Sequence, residues 1–233
     1  TEKLLERAPY IYHSEFHRIC QSVYAQQKEH SPSETNLDTL GFDVIKTFTS
    51  SEIAQALSDS FSELSPERTD SANSVILPTE TLKNQITSVI EQAMQNGVAD
   101  LIEQHLGCFF RIDHVQCMRT KKHPETQGVS FRWHRDFEPI AQLHIMLYLT
   151  ECCDESPATL FTTLEDTRRL ANSGYSFPIF EDRVENINTW LPAGEKSASL
   201  HRPLLNSGDA TIFGASRILH CGSVPTSKIR DIV

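Results

Sequence analysis

The feature that most constrains this chain is a change of texture at Cys108. Before it, apolar residues recur at helical spacing; after it come short segments rich in aromatic and β-branched residues, separated by turn chemistry. Residues 14–27 place Phe16, Ile19, Cys20, Val23 and Tyr24 on one helical face. Thr49 with Glu52 spells a capping box, after which Ile53, Ala54, Ala56, Leu57 and Phe61 continue an amphipathic helix. Pro78-Thr79-Glu80 opens a longer one, striped by Leu82, Ile86, Val89, Ile90 and Met94, and a short helix through Leu101 and Ile102 ends at Gly107. In this half only 41–48 alternates like a strand, while 30–36 and 65–73 are polar loops.

Beyond Cys108, strands are predicted over 109–118, 129–133, 142–150, 158–163 and 210–213. Pro124, Asp154-Glu155-Ser156-Pro157 and Asn206-Ser207-Gly208-Asp209 supply the turns. Helices followed by many short strands predict an α+β fold with a β-sandwich or jelly-roll core. Neither a repeat nor a linker divides the 233 residues, so one domain is expected: 1–107 mostly helical and packed on a sheet, 108–233 the β core.

Composition removes several classes. With 39% hydrophobic and 22% charged residues the chain is neither disordered nor rich enough in apolar runs for a membrane span. A formal charge of −10 argues against nucleic acid as a partner and leaves a small-molecule substrate as the expectation. The six cysteines form no C-x-x-C pair, which predicts reduced thiols in a cytoplasmic protein. The sequence begins without Met, which suggests a trimmed start, and it stops three residues past Arg230, so either the C-terminus is truncated or the last strand is unusually short.

The residues that carry chemistry begin at Trp133-His134-Arg135-Asp136-Phe137, at the end of a predicted strand. Side chains two apart on an extended chain project to the same side, so His134 and Asp136 can offer a nitrogen and an oxygen to one ion. His220 follows the 210–213 strand across a short connection and supplies a second imidazole. Two His and one carboxylate leave half the positions of an octahedral ion open, as non-haem Fe(II) oxygenases require. Arg230 lies ten positions further on, where a strand could aim its guanidinium at a carboxylate. The triplet His134-Arg135-Asp136 also occurs in protein-kinase catalytic loops, but Ala141 stands where such a loop needs Asn, and no glycine-rich phosphate loop precedes it. His144 shares a strand face with Gln142 and Met146 near these residues.

Taken together, Trp133 to Pro139, the strand ending Leu147-Tyr148-Leu149-Thr150, and Gly208-Asp209-Ala210-Thr211-Ile212-Phe213 leading to Leu219-His220 resemble the Fe(II)/2-oxoglutarate oxygenase superfamily. The resemblance is strongest to its phytanoyl-CoA dioxygenase-like branch and spans about 41–233. It implies a double-stranded β-helix, with Fe(II), 2-oxoglutarate and O2. His134, Asp136 and His220 match its iron ligands, and Arg230 its binder of the far 2-oxoglutarate carboxylate. Gln116, Arg119 and Thr159 fall where members hold the cosubstrate. An intact Asp136 implies hydroxylation, desaturation or cyclisation rather than halogenation. Two features depart from the pattern: Thr162-Thr163-Leu164-Glu165-Asp166 replaces the usual proline-glycine-serine-histidine stretch, and the final strand is short. A non-catalytic β-helix module binding a metal or metabolite is the alternative.

Overall fold

The structure is a computed structural model that describes residues 2–28, 34–70, 72–122, 129–139 and 141–233. The expected loop at 30–33, the turn at Pro124, and His30 and His123 lie outside the described residues, as does the side chain of His13.

The helical half comprises α1 (Glu2–Gln27), α2 (Asn36–Thr39), α3 (Ser51–Ser62), α4 (Glu80–Ala93) and α5 (Ala99–Leu106). Ser50, not Thr49, caps α3, its hydroxyl accepting from the Ile53 amide at 3.3 Å. Between α4 and α5 the helix is interrupted at Asn96 and Gly97, where Gly97 adopts a φ of 105° that favours glycine.

The strands are β1 (Phe42–Ile45), β2 (Pro66–Asp70), β3 (Asn73–Ile76), β4 (Cys117–Thr120), β5 (His144–Leu147), β6 (Leu160–Phe161), β7 (Ala210–Phe213), β8 (His220–Cys221) and β9 (Arg230–Ile232), with α6 (Leu164–Asn172) after β6. All pairings are antiparallel, in the orders β1-β7-β5, β2-β3-β4-β9 and β6-β8. Leu147 and Val233 exchange backbone bonds of 2.8 and 3.0 Å, and Tyr148 bridges Ile232, so β5 joins β9 and the first two groups run on as one broad sheet. Bridges from His134 to His220 and from Phe161 to His201 widen the small β6-β8 sheet on both sides.

The alternation of β7 shows how the layers stack. Ala210 and Ile212 join Leu147, Leu149 and the α3, α4 and α5 side chains in the largest core, on the outer face of the broad sheet. Thr211 and Phe213 face the other way, and the Phe213 ring meets Phe161 of the small sheet at 5.0 Å. The expected helical layer on one sheet is therefore observed, and a second core lies between the sheets. Asp209 ties this arrangement down. Its carboxylate accepts from Lys46 Nζ (2.8 Å) and from the Thr47 and Asn206 amides (both 2.9 Å), which fixes the turn into β7 against the end of β1.

Three expectations are corrected. The loop expected over 65–73 instead forms a hairpin of β2 and β3 whose polar outer strand shows no apolar alternation. The stretch 109–116 is irregular, leaving only β4 as strand, and 129–131 is a single 3-10 turn. The departure at Thr162 to Asp166 turns out to start α6: the Thr163 hydroxyl accepts from the Asp166 amide at 3.1 Å.

Candidate metal centre

Trp133 fixes the segment that carries His134 and Asp136. Fully buried, it receives the Tyr175 hydroxyl on its carbonyl at 2.7 Å, and its amide and indole donate to the Val184 and Glu185 carbonyls at 3.0 and 3.1 Å. Its neighbour His134 then exchanges two backbone bonds with His220, of 3.0 and 2.9 Å, while the Asp136 amide donates to the Ala215 carbonyl at 3.0 Å. Backbone pairing thus brings together ligands 86 positions apart in sequence (220 − 134).

One ligand atom from each of His134, Asp136 and His220 lies within 4.8 Å of the others, close enough to share an ion. Each imidazole Nε2 stands 3.6 Å from an Asp136 oxygen, Oδ1 for His134 and Oδ2 for His220. Nδ1 of His134 lies 2.7 Å from the Arg132 carbonyl, and that of His220 lies 3.2 Å from the Ile218 carbonyl. A carbonyl only accepts, so each Nδ1 carries the proton and each Nε2 is left with its lone pair towards the other ligands. Both rings are buried, whereas the Asp136 side chain is 30% exposed, so the cluster opens beside the carboxylate.

Burial drives the His134 pKa down to about 3, so its ring is neutral and ready to ligate at neutral pH. Burial alone would raise the Asp136 carboxyl, but the surrounding imidazoles hold it down at about 2. Both shifts act in the same direction on metal-free stability. Between pH 6.5 and about 3 the unfolded chain binds the His134 proton and the folded chain does not; Asp136 adds the same bias from 3.8 to about 2. Stability is therefore complete above pH 6.5 and is lost progressively as the pH falls through that window. Urea midpoints of the metal-free protein between pH 7 and 4 are expected to fall by the equivalent of a few kcal/mol, and a flat profile would contradict this geometry.

Arg135 projects away from the ligands and braces the outer loop. Its guanidinium stacks 3.7 Å from the Phe177 ring centroid and donates to the Ser176 carbonyl at 2.7 Å. Glu138 continues the alternation of His134 and Asp136 and pairs with His144 Nε2 at 2.7 Å. His144 packs its ring against Phe213, whose ring also meets His220 at 5.1 Å. Asp136, Glu138 and His144 form a second close group beside the first. Glu138 was legible as one more residue in an H-x-D-x-E alternation.

Arg230 lies deeper between the sheets. It is 4% exposed and donates to the Pro157 carbonyl and, at 3.5 Å, to the Thr120 hydroxyl. Burial lowers its pKa, and its titratable neighbours Tyr148, Cys152 and Cys221 are pushed up by burial and so stay neutral beside it. Among the described residues no carboxylate forms an ion pair with it. The Thr159 hydroxyl lies 3.3 Å from that of Tyr148 in the same interior. Gln116 is half-buried just before β4, in the irregular stretch that leads into the strand.

Arg119 requires a correction. It faces the helical layer, where it grips Asp231 through two bonds (2.7 and 2.6 Å) and donates to the Ser58 carbonyl and the Ser62 hydroxyl. Its register partner is Asp231, one residue out of step with the inward pair Thr120 and Arg230. A single position along the strand reverses the face.

No family model matches the chain, and no curated protein does. Solved structures do. SnoN, a non-haem α-ketoglutarate-dependent epimerase from nogalamycin biosynthesis, determined with Fe3+, α-ketoglutarate and nogalamycin RO, has a TM-score of 0.56 at 16% identity, over 84% of this chain and 78% of that one. EctD from S. alaskensis with bound Fe has a TM-score of 0.53 at 14% identity, over 88% and 76%. HygX from Streptomyces hygroscopicus with nickel and 2-oxoglutarate has a TM-score of 0.51 at 13% identity, over 84% and 82%. At such identities the likeness is one of fold, and the chain has the fold that these three metal-bound proteins share.

Proposed function

We propose that the chain is an Fe(II)- and 2-oxoglutarate-dependent oxygenase built on a double-stranded β-helix, acting on a small molecule. The observation that carries this reading is the pairing of an open two-His-one-carboxylate cluster with a buried, acid-free guanidinium in one interior. An uncompensated buried charge costs several kcal/mol, and a dicarboxylate reaching from the metal would neutralise it. The metal-bound likenesses support the same cofactors. Resemblance of Trp133 to Pro139 and Gly208 to Phe213 supports the phytanoyl-CoA dioxygenase-like branch.

In this reading His134, Asp136 and His220 hold the iron, and the Arg132 and Ile218 carbonyls keep the imidazoles in the ligating tautomer. Iron with 2-oxoglutarate supplies the activation of O2, yielding succinate, CO2 and an oxidised substrate. Arg230 neutralises the far carboxylate, and Thr159 and Gln116 help to hold the cosubstrate. The broad sheet and its helical layer keep water from behind the site, leaving entry beside Asp136. The intact Asp136 occupies the position a halide would need, which favours hydroxylation, desaturation or cyclisation. HygX with hygromycin B bound and SnoN with nogalamycin RO bound support a small-molecule natural product as substrate.

The test is conversion of 2-oxoglutarate to succinate with Fe(II) and O2, measured with and without candidate substrates. Fe(II)-dependent succinate formation is expected, stimulated by the true substrate. Metal binding without 2-oxoglutarate binding or turnover would favour a non-catalytic module.

A further inference from the structure

The Thr211 hydroxyl, on the inner face of β7, stands apart from its polar neighbours. Its side chain is fully buried, and Oγ1 has no hydrogen-bond partner among the described residues. Val44 stands opposite it on β1 and Met146 on β5, and neither side chain offers an oxygen. A buried hydroxyl left unbonded costs about 1–3 kcal/mol, so the position calls for an explanation.

Its height between the sheets supplies one. Side chains facing the interior rise in levels, two residues or about 6.8 Å apart along each strand. The upper level holds His144, Phe161, Phe213 and the metal cluster, linked by the ring contacts of Phe213 with His144, Phe161 and His220. The lower levels hold Tyr148, bridged to Ile232, and, two residues further along β9, Arg230, bonded to Pro157. Thr211 and Met146, paired across β7 and β5, stand between the two, and Met146 Sδ lies 3.6 Å from the Thr159 hydroxyl.

A molecule anchored at the metal and at Arg230 must pass this middle level. We infer that Thr211 is a positioning residue for the dicarboxylate cosubstrate, its hydroxyl donating to an oxygen of the bound 2-oxoglutarate. This inference rests on the oxygenase reading. It also assigns the middle level two tasks, with Met146 lying along the methylenes while Thr211 and Thr159 face the polar ends.

The experiment is calorimetric titration of Mn(II)-loaded protein with 2-oxoglutarate under anaerobic conditions, alongside thermal melts of the metal-free protein. Thr211→Val keeps shape and removes the hydroxyl. It is expected to weaken 2-oxoglutarate about tenfold, to leave Mn(II) affinity unchanged, and to leave the metal-free Tm equal to or above that of the parent. Thr211→Ser should restore most of the binding. Parental affinity in Thr211→Val, with affinity lost in Arg230→Met, overturns the role of Thr211 and spares the oxygenase reading. Failure of the parent itself to bind 2-oxoglutarate overturns both. A lowered Tm with weakened binding that Ser does not restore marks Thr211 as structural and also overturns the inference.

Discussion

Alanine at His134 or His220 is expected to weaken iron binding by at least about 100-fold, beyond the loss typical of removing a ligand's supporting bond alone, and to abolish turnover. The fold should survive both changes, because the two residues pair through their backbones, which the substitutions leave in place. Loss of each buried ring should cost about 2 kcal/mol at neutral pH, and only below pH 6.5 is this in part offset at His134, which no longer has to stay neutral in the folded state. Metal content after anaerobic Fe(II) loading, with circular dichroism of the same samples, checks this. Full iron occupancy in either variant would remove the triad assignment.

The second large effect is expected at Arg230, and it separates function from stability. Arg230→Met should weaken 2-oxoglutarate by about 100-fold or more, as loss of a buried charge-assisted contact does. The metal-free protein should nevertheless be as stable as the parent or more so, because an unpaired buried cation is replaced by an apolar chain of similar length. Arg119→Met, on the neighbouring strand, should do the reverse. It strands the buried Asp231 carboxylate and should cost about 3–5 kcal/mol, while 2-oxoglutarate affinity in the surviving folded protein stays near the parental value. Denaturant melts and calorimetry on the two variants decide the point. Destabilisation by Arg230→Met of the size expected for Arg119→Met would mean that Arg230 serves the fold.

These two arginines also mark how far the sequence could be read. His134, Asp136, His220 and Arg230 were legible because period-two alternation and a short strand-to-strand connection leave little freedom. Arg119 was not, because the face of a strand residue depends on a register that only the β4–β9 pairing fixes. The β2–β3 hairpin escaped notice for a different reason. Its outer strand Pro66–Asp70 buries none of its described side chains, so composition resembles a loop. The start of α6 carried a usable signal in Thr163 and Asp166, a Ser/Thr-x-x-acid pattern, but only Leu164 and Leu170 supply its buried apolar stripe. Thr211 sits in plain view within the Gly208 to Phe213 motif, yet its lack of a partner appears only once Val44 and Met146 are known to flank it.

Asp209 illustrates a limit of motif reading. It belongs to the segment that resembles the oxygenases, but its carboxylate is fully engaged by Lys46, Thr47 and Asn206 in a turn. Its place in the motif is to set the entry angle of β7, and hence the height at which Thr211 and Phe213 face the interior. Interior groups left without a partner or a counter-charge among the described residues, Thr211 and Arg230 respectively, are the ones expected to meet ligands; satisfied ones such as Asp209 and Arg119 build the frame.

The central claim is that one iron and one 2-oxoglutarate share the space between His134, Asp136, His220 and Arg230. Anaerobic titration of the Fe(II)-loaded protein with 2-oxoglutarate, followed by visible absorption, tests it most directly. A chelated keto acid on Fe(II) gives a metal-to-ligand charge-transfer band, expected here to saturate at one equivalent per iron and to vanish in His220→Ala. A protein that takes up iron at the triad yet develops no band and no binding heat at millimolar 2-oxoglutarate would contradict the account.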